Sequence, residues 1–329
     1  MVLADLQGRL AALRTQLCPP RIYLELQDQA ITGMALEGRQ VRWLERLPLP
    51  EGVCRHGVPL VPLALGDLLG DWLLERGYGG AHVKAVLPPS ACSWRVLEQP
   101  PGLNSEGLQG WAEGMAEQLG LVWAEGGCLE AVDVLCEPLA EGQPQVLLVV
   151  VARGVLEGWM EVMDQAGCDL VTLQPACLCG WNGLASVREA SVQPSAMQGL
   201  LLADSQQTWL FALSPHSPVA QWCLPRAEAG SGWPESLRFL LQFGAGGVSA
   251  VSPGQHQELL LVGDGSQAEA MEALLAPQVE ASHAALRLVA PSQTGGLEWP
   301  STPAAGDGGQ GVPWLLWGLA APDLPLMSD

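Results

Sequence analysis

The chain has 329 residues, 48% hydrophobic and 15% charged. That is ample material for a packed core, the opposite of the balance that disorder requires, and a length that suggests two domains or two large lobes. With 15 Lys+Arg against 35 Asp+Glu the formal net charge is -20, which repels nucleic-acid backbones and anionic lipid and favours a basic partner segment.

Leu3, Leu6, Leu10, Leu13 and Leu17 recur at helical spacing and predict an amphipathic N-terminal helix, stopped by Pro19-Pro20. A three-strand meander follows at 21–26, 30–37 and 40–47, with turns at Asp28-Gln29 and Gly38-Arg39. The spacing predicts a helix over 60–76, ended by Gly77. Strands are expected at 83–87 and 92–97, separated by Pro88-Pro89, then a helix at 105–119 capped by Asn104. Two long strands at 129–137 and 145–152, a helix at 154–166, a strand at 170–173 and a helix at 175–185 complete the first half.

The small, polar stretch 187–196 reads as the lobe boundary. Beyond it come strands at 199–203, 208–213 and 219–224, a helix at 234–243, a strand at 259–262, a Gly263-Asp264-Gly265 turn and a helix at 266–275. Residues 291–311 read as a loop and 313–320 as a final short helix. The N-terminal stretch lacks the continuous apolar run of a secretory signal. The strongest apolar run, 146–152, is far shorter than the ~20 residues that span a bilayer.

Two lobes that each open with a three-strand meander, followed by helices and further strands, have the layout of the actin and ribonuclease H-like superfold. With its residues, the order of segments resembles the PilM family of type IV pilus systems. The segments are LELQDQAITGMAL at 24–36, the strand exit LPLPEGV at 47–53, AVLPPS at 85–90, VLLVVVAR at 146–153 and LLLVGDG at 259–265. The resemblance covers about 21–319 and implies an α/β, actin-like (ribonuclease H-like) two-lobe fold. Lobe 1 is expected at 21–190 with an inserted subdomain at about 83–153, and lobe 2 at 197–321, after the N-terminal helix at 1–20. The family places a whole subdomain between Leu224 and Trp233; here one short Gly-rich turn stands there, so lobe 2 is expected to be reduced.

The family's nucleotide turns are degenerate in this chain. The first should carry an Asp and a near-adjacent Gly; Glu25 and Gln27 stand there, Asp28 and Gln29 replace small hydroxyl residues, and Thr32 takes the basic position. Asp28 would repel phosphate. The second turn falls near 203–207, with Ala203 or Asp204 matching the family's Asp, and neither register restores the glycine. The adenine-side turn survives in part as Gly263 and Gly265. These losses imply a pseudo-ATPase without a cofactor, ATP and magnesium included; an active actin-like ATPase switch is the competing reading.

Nothing else rises to a chemical site. His56, His82, His216, His256 and His283 form no metal spacing. Cys177 and Cys179 sit two apart on an expected helix and so point apart. No G-x-S-x-G elbow occurs. The nine cysteines, an odd count set in apolar stretches, read as reduced core thiols of a cytosolic protein.

The resemblance implies a scaffold at the cytoplasmic face of the inner membrane. It would hold the short cytoplasmic tail of a PilN-like protein in a groove between the first subdomain and the inserted one, at Val86, Leu87, Trp94, Val96, Trp111, Val132 and Val134. The scaffold would link that tail to pilus motor ATPases, supporting pilus biogenesis, twitching motility and, indirectly, DNA uptake. Membrane contact would come only through partners. The cytoplasmic half of GspL, a type II secretion scaffold, shares this fold. Such a protein would continue into a membrane helix, and the sequence ends at Asp329 without one.

Overall fold

The computed structural model describes residues 19–103, 105–121, 124–125, 128–129, 132–139, 145–188, 198–203, 208–214, 217–224, 258–262, 285–288 and 314–323. The expected helices at 1–17, 234–243 and 266–275, the 291–311 loop and the short turn after Leu224 lie outside these residues.

The chain opens with the meander β1 (Arg21–Gln27), β2 (Ala30–Glu37) and β3 (Gln40–Pro48), each strand antiparallel to the next. A small hairpin, β4 (Cys54–Arg55) and β5 (Val58–Pro59), leads into helix α1 (Pro62–Glu75). β6 (His82–Leu87) then pairs parallel to β1. An excursion follows: β7 (Cys92–Glu98), helix α2 (Ser105–Gln118), the short pair β8 (Ala124–Glu125) and β9 (Cys128–Leu129), then β10 (Val132–Pro138) and β11 (Gln145–Ala152). Helix α3 (Arg153–Gln165) returns the chain to β12 (Asp169–Pro175), which pairs parallel to β6.

Helix α4 (Ala176–Arg188) leads to the second half: β13 (Gln198–Ala203), β14 (Thr208–Leu213), β15 (Pro218–Leu224), β16 (Glu258–Val262), β17 (Ala285–Leu288) and helix α5 (Trp314–Ala320). The first sheet has the order β12-β6-β1-β2-β3 and the second β15-β14-β13-β16-β17. Read from the meander edge, these are the same topology twice: three antiparallel strands, then two parallel ones. The intervening sheet, β10-β11-β7, is wholly antiparallel and is inserted between β6 and β12.

Three expectations shift. The strand predicted over 129–137 is two elements: Cys128–Leu129 folds back on Ala124–Glu125 across a Gly-Gly pair, the composition that two-residue hairpins favour. Helix α4 runs on to Arg188, past the apolar pattern that bounded it in sequence. Strand β17 carries too short an apolar run to be read from sequence.

Local rules hold elsewhere. α1 ends at Gly77, φ +78°, where Tyr78 N donates to Leu73 O at 2.8 Å and Gly77 N to Leu74 O at 3.0 Å. This is the Schellman arrangement, which needs a left-handed residue that glycine supplies without steric cost. Strand alternation in β1 sends Ile22, Leu24 and Leu26 to the outer face, where they pack with Leu65, Leu69, Trp72 and Leu73 of α1 and Trp159, Val162 and Met163 of α3. Tyr23 points to the inner face, into a larger core that joins Leu147, Val149 and Val151 of the inserted sheet, Leu200, Phe211 and Leu213 of the second sheet, and all of α5. Among the described residues no helix is long and apolar enough to cross a membrane.

The inner core closes where α4 and α5 cross. A methyl group at Gly318 would overlap the carbonyl of Cys179, and one at Gly183 would lie 2.8 Å from the indole Nε1 of Trp314. Elsewhere in a helix, Gly→Ala gains up to ~1 kcal/mol of helix propensity; here overpacking, worth roughly 1–3 kcal/mol, exceeds that gain. Gly318→Ala is therefore expected to lower the urea midpoint. Gly114→Ala, in the middle of α2 with nothing within 4 Å of its would-be Cβ, should raise it or leave it unchanged. Equal effects from the two substitutions would refute the close crossing.

Candidate functional site

The first turn is built from the inward residues of β1. Glu25 and Gln27 lie on the same face as Tyr23, with Thr32 opposite Glu25 and Arg46 opposite Thr32 in the strand register. Gln27 Nε2 donates to Glu25 Oε1 at 3.1 Å, and Arg46 Nη2 donates to Gln27 Oε1 at 3.2 Å. A chain of carboxylate, amide and guanidinium thus fills the first turn with side chains. Arg46, on the neighbouring strand, brings a guanidinium beside Gln27. β3 carries a register shift near Val41, after which Leu44 packs in the inner core and alternation sets Arg46 on that same face.

Asp28 does not stand alone in the turn. Its Oδ1 accepts from Gly57 N at 3.2 Å. His56 and Gly57, φ +52° and +71°, form the two-residue loop of the β4–β5 hairpin, the positive-φ pair of a type I′ turn. A Cβ at Gly57 would lie 2.8 Å from both Leu26 O and the Pro88 ring, so only glycine fits. Ser90 Oγ donates to His56 O at 2.7 Å. The hairpin is thereby fastened against the ends of β1 and β6, and Asp28 is one of its fastenings.

Asp204, Gly263 and Gly265 lie outside the described residues. The strands leading to them end side by side, since Leu202 pairs with Val262.

Toward the opposite end of β1 and β6 the two halves are tied by charge. Asp323, in the turn Ala321–Asp323 that follows α5, accepts from Tyr23 Oη at 2.9 Å and pairs with Lys84 Nζ at 2.7 Å. Arg21 stands 3.8 Å away. Burial, and then the Asp323 carboxylate, push the Tyr23 phenol above its ordinary value, so it remains a donor. Lys84, the single lysine of the chain, finds its partner 239 residues away, a distance no sequence pattern spans.

The seven residues expected to line a peptide groove fall on two faces. Val86, Leu87 and Trp94 are buried in the inner core, with Val96 packed against it; Trp111, Val132 and Val134 pack with Leu148 and Val150 under α2 on the opposite face of the inserted sheet. The cause is strand alternation: Val149 pairs with Trp94 and the adjacent Val150 with Val134, so the two sets point apart. Trp94 has another task, donating Nε1 to Gln221 Oε1 at 2.6 Å, while Gln221 Nε2 donates to Pro89 O at 3.2 Å. It fastens the inserted sheet to β15. The partly buried apolar side chains against this core include Leu36 and Leu44 of the first sheet, Val96 of the inserted one and Leu139 just past β10. Leu135 on the edge strand β10 is 43% exposed.

Among the described residues no group of three His, Cys, Asp or Glu side chains could hold a metal. Cys177 and Cys179 are both buried on α4, and burial raises both thiols well above their ordinary value.

No family model matches the sequence, and no curated protein matches it. Solved structures do. A chain of the PilM–PilN type IV pilus biogenesis complex is 20% identical, with a TM-score of 0.66 over 84% of this chain and 90% of that one. A protein from Bacteroides thetaiotaomicron with an actin-like ATPase fold is 10% identical, with a TM-score of 0.51 over 84% and 92%. The cytoplasmic domain of EpsL, an inner-membrane component of the type II secretion system of Vibrio cholerae, is 14% identical over 92% and 94%. Its TM-score of 0.47 is too low to weigh the secretion alternative. The chain has the actin-like ATPase fold, with two lobes of like topology and an antiparallel sheet inserted in the first.

Thiol reactivity tests the burial. Burial pushes Cys54 and Cys92 up to about 12, and a thiol without thiolate character is inert. Under native conditions at pH 8, iodoacetamide should modify the exposed Cys223 first. Cys54, Cys92, Cys168, Cys177 and Cys179 should react only as fast as the protein unfolds, as peptide mass mapping would show. Early labelling of Cys177 or Cys179 would contradict the buried α4.

Proposed function

We propose that this chain is a non-catalytic scaffold of a type IV pilus machine. It docks the short cytoplasmic tail of a PilN-like membrane protein and links it to motor ATPases, so that pilus assembly, motility and DNA uptake depend on it. It sits on the cytoplasmic face of the inner membrane through that partner. The observation carrying this reading is the likeness to a chain of the PilM–PilN complex, which extends over 84% of this chain. The tail would lie between the first sheet and the inserted one, where Leu36, Leu44, Val96 and Leu139 offer partly buried apolar anchors. Apolar anchors in a groove are how short peptides gain affinity. A basic residue in the tail suits the acidic chain.

The first turn supports a pseudo-ATPase. A phosphate cradle needs bare backbone that a ligand can approach closely, and here the Gln27 side chain, held by Glu25 and Arg46, stands in that position. The remnant set Glu25, Asp204, Gly263 and Gly265 would then be a vestige. One observation favours the second reading, an ATP-dependent switch: Arg46 puts a guanidinium at the first turn, and guanidinium is suited to phosphate.

Calorimetric titration with a synthetic PilN-like N-terminal tail peptide, with and without ATP and magnesium, separates the two. Binding that is equal in both conditions is expected. Val96→Glu should weaken it at least tenfold in a variant that circular dichroism shows to be folded. Binding only with nucleotide would make the switch the correct reading. No binding in either condition would remove the pilus role.

A further inference from the structure

Helices α1 and α3 pack side by side on the outer face of the first sheet. They run in the same direction. A methyl at Gly66 would lie 2.7 Å from Val162 O, and the backbone of Ala166 is 3.1 Å from the would-be Cβ of Gly70. Gln165 Nε2 donates to Asp67 Oδ1 at 2.6 Å across the pair. The inner sides of both helices are saturated with core contacts.

Their outer sides are not. An open, shallow depression of about 380 Å³ lies along α3 where Leu63 of α1 meets it, lined otherwise by Glu157, Met160, Glu161, Asp164 and Gln165 of α3. Leu63 is 53% and Met160 58% exposed, and Leu60 and Val61, just before α1, are 49% and 45% exposed. On α3 the acids Glu157, Glu161 and Asp164 follow one another at helical spacing beside Met160. On α1 the exposed residues Leu63, Asp67, Asp71 and Leu74 do the same. α1 contains no basic residue. The single one in α3, Arg153, is paired with Asp133 at 3.0 Å. Among the described residues Glu157, Glu161 and Asp164 make no ion pair.

We propose that this depression is a second docking surface and that its occupant is a basic amphipathic helix of a partner protein. Apolar side chains spaced i, i+3/i+4 would seat on Leu63 and Met160, and Lys or Arg on both flanks would meet Glu157, Glu161 and Asp164. The charge distribution selects this occupant. A second copy of the chain would bring like charge to like charge, with a net -20 on each copy, and an anionic lipid surface would be repelled. A helix suits the place geometrically, because two adjacent parallel helices present a ridged groove that a third can enter. Met at its centre adapts to different apolar partners. The surface is small, which fits a transient, salt-sensitive contact.

The test uses the full chain and a fluorescent 18-residue amphipathic helix with Leu at i, i+3/i+4 positions and Lys on its flanks, read by anisotropy. Micromolar binding is expected, weakening at least fivefold between 50 and 300 mM NaCl. A peptide with Glu in place of each Lys should not bind. Glu161→Lys with Asp164→Lys should weaken binding at least tenfold, and Met160→Ser at least threefold. Glu51→Lys with Glu117→Lys, which changes net charge equally on another exposed surface, should have less than a twofold effect. Absence of binding would overturn the proposal. So would equal loss in the two charge-reversed variants, which would mean general attraction to an acidic protein. The tail peptide of the pilus reading binds elsewhere, so failure of either experiment leaves the other intact.

Discussion

The structure depends on one close contact, the crossing of α4 and α5 at Gly318. α4 follows the last strand of the first sheet and also packs on β14 and β15 of the second. α5 comes from the end of the chain and lies on β1 and β6. All seven residues of α5 are buried, among them Trp314 and Trp317 with ring centroids 5.0 Å apart. A helix this short has little stability of its own; packing supplies it. Because the crossing leaves no room for a side chain at 318, the indole of Trp314 can reach the α4 backbone, where its Nε1 donates to Gly180 O at 3.3 Å. The two sheets thereby share one core.

The polar ties make sense once that core is in place. Lys84 and Asp323 are only 19% and 17% exposed, so each charge would be costly without the other. Their pairing, with Tyr23 as a third member, fixes where the chain leaves α5. Trp94 and Gln221 do the same work between the inserted sheet and β15. The lobes are thus joined by a glycine crossing, a largely buried ion pair and an indole–amide bond.

Much of this was legible in the sequence because it is local. The meander 21–48 has apolar strand runs and turn residues at both reversals, and the structure reproduces its strand bounds to within a residue. Gly77 announced the end of α1, and Pro88-Pro89 the break between β6 and β7. What was not legible depends on long-range register. The groove assignment failed because apolar residues of a sheet covered on both faces carry no label saying which face each occupies; Trp94 and Val134 look alike in sequence and lie on opposite sides. That Arg46 lies beside Gln27 was not legible either, because it follows from the pairing of β3 with β2. Lys84 could be noted as unusual, but its role requires Asp323. β17 is four residues long, too short for periodicity to speak.

The first sheet, buried on both faces, organises two different surfaces. Its inner face carries Tyr23, Glu25 and Gln27 and meets the inserted sheet, α4 and α5. Its outer face is covered by α1 and α3, whose exposed sides combine apolar residues with unpaired acids. The alternation that sends Leu24 outward and Tyr23 and Glu25 inward therefore also separates the two surfaces. On the two proposed readings, a peptide tail on the inner side and a basic helix on α1 and α3 would have the sheet between them and would not compete for the same residues.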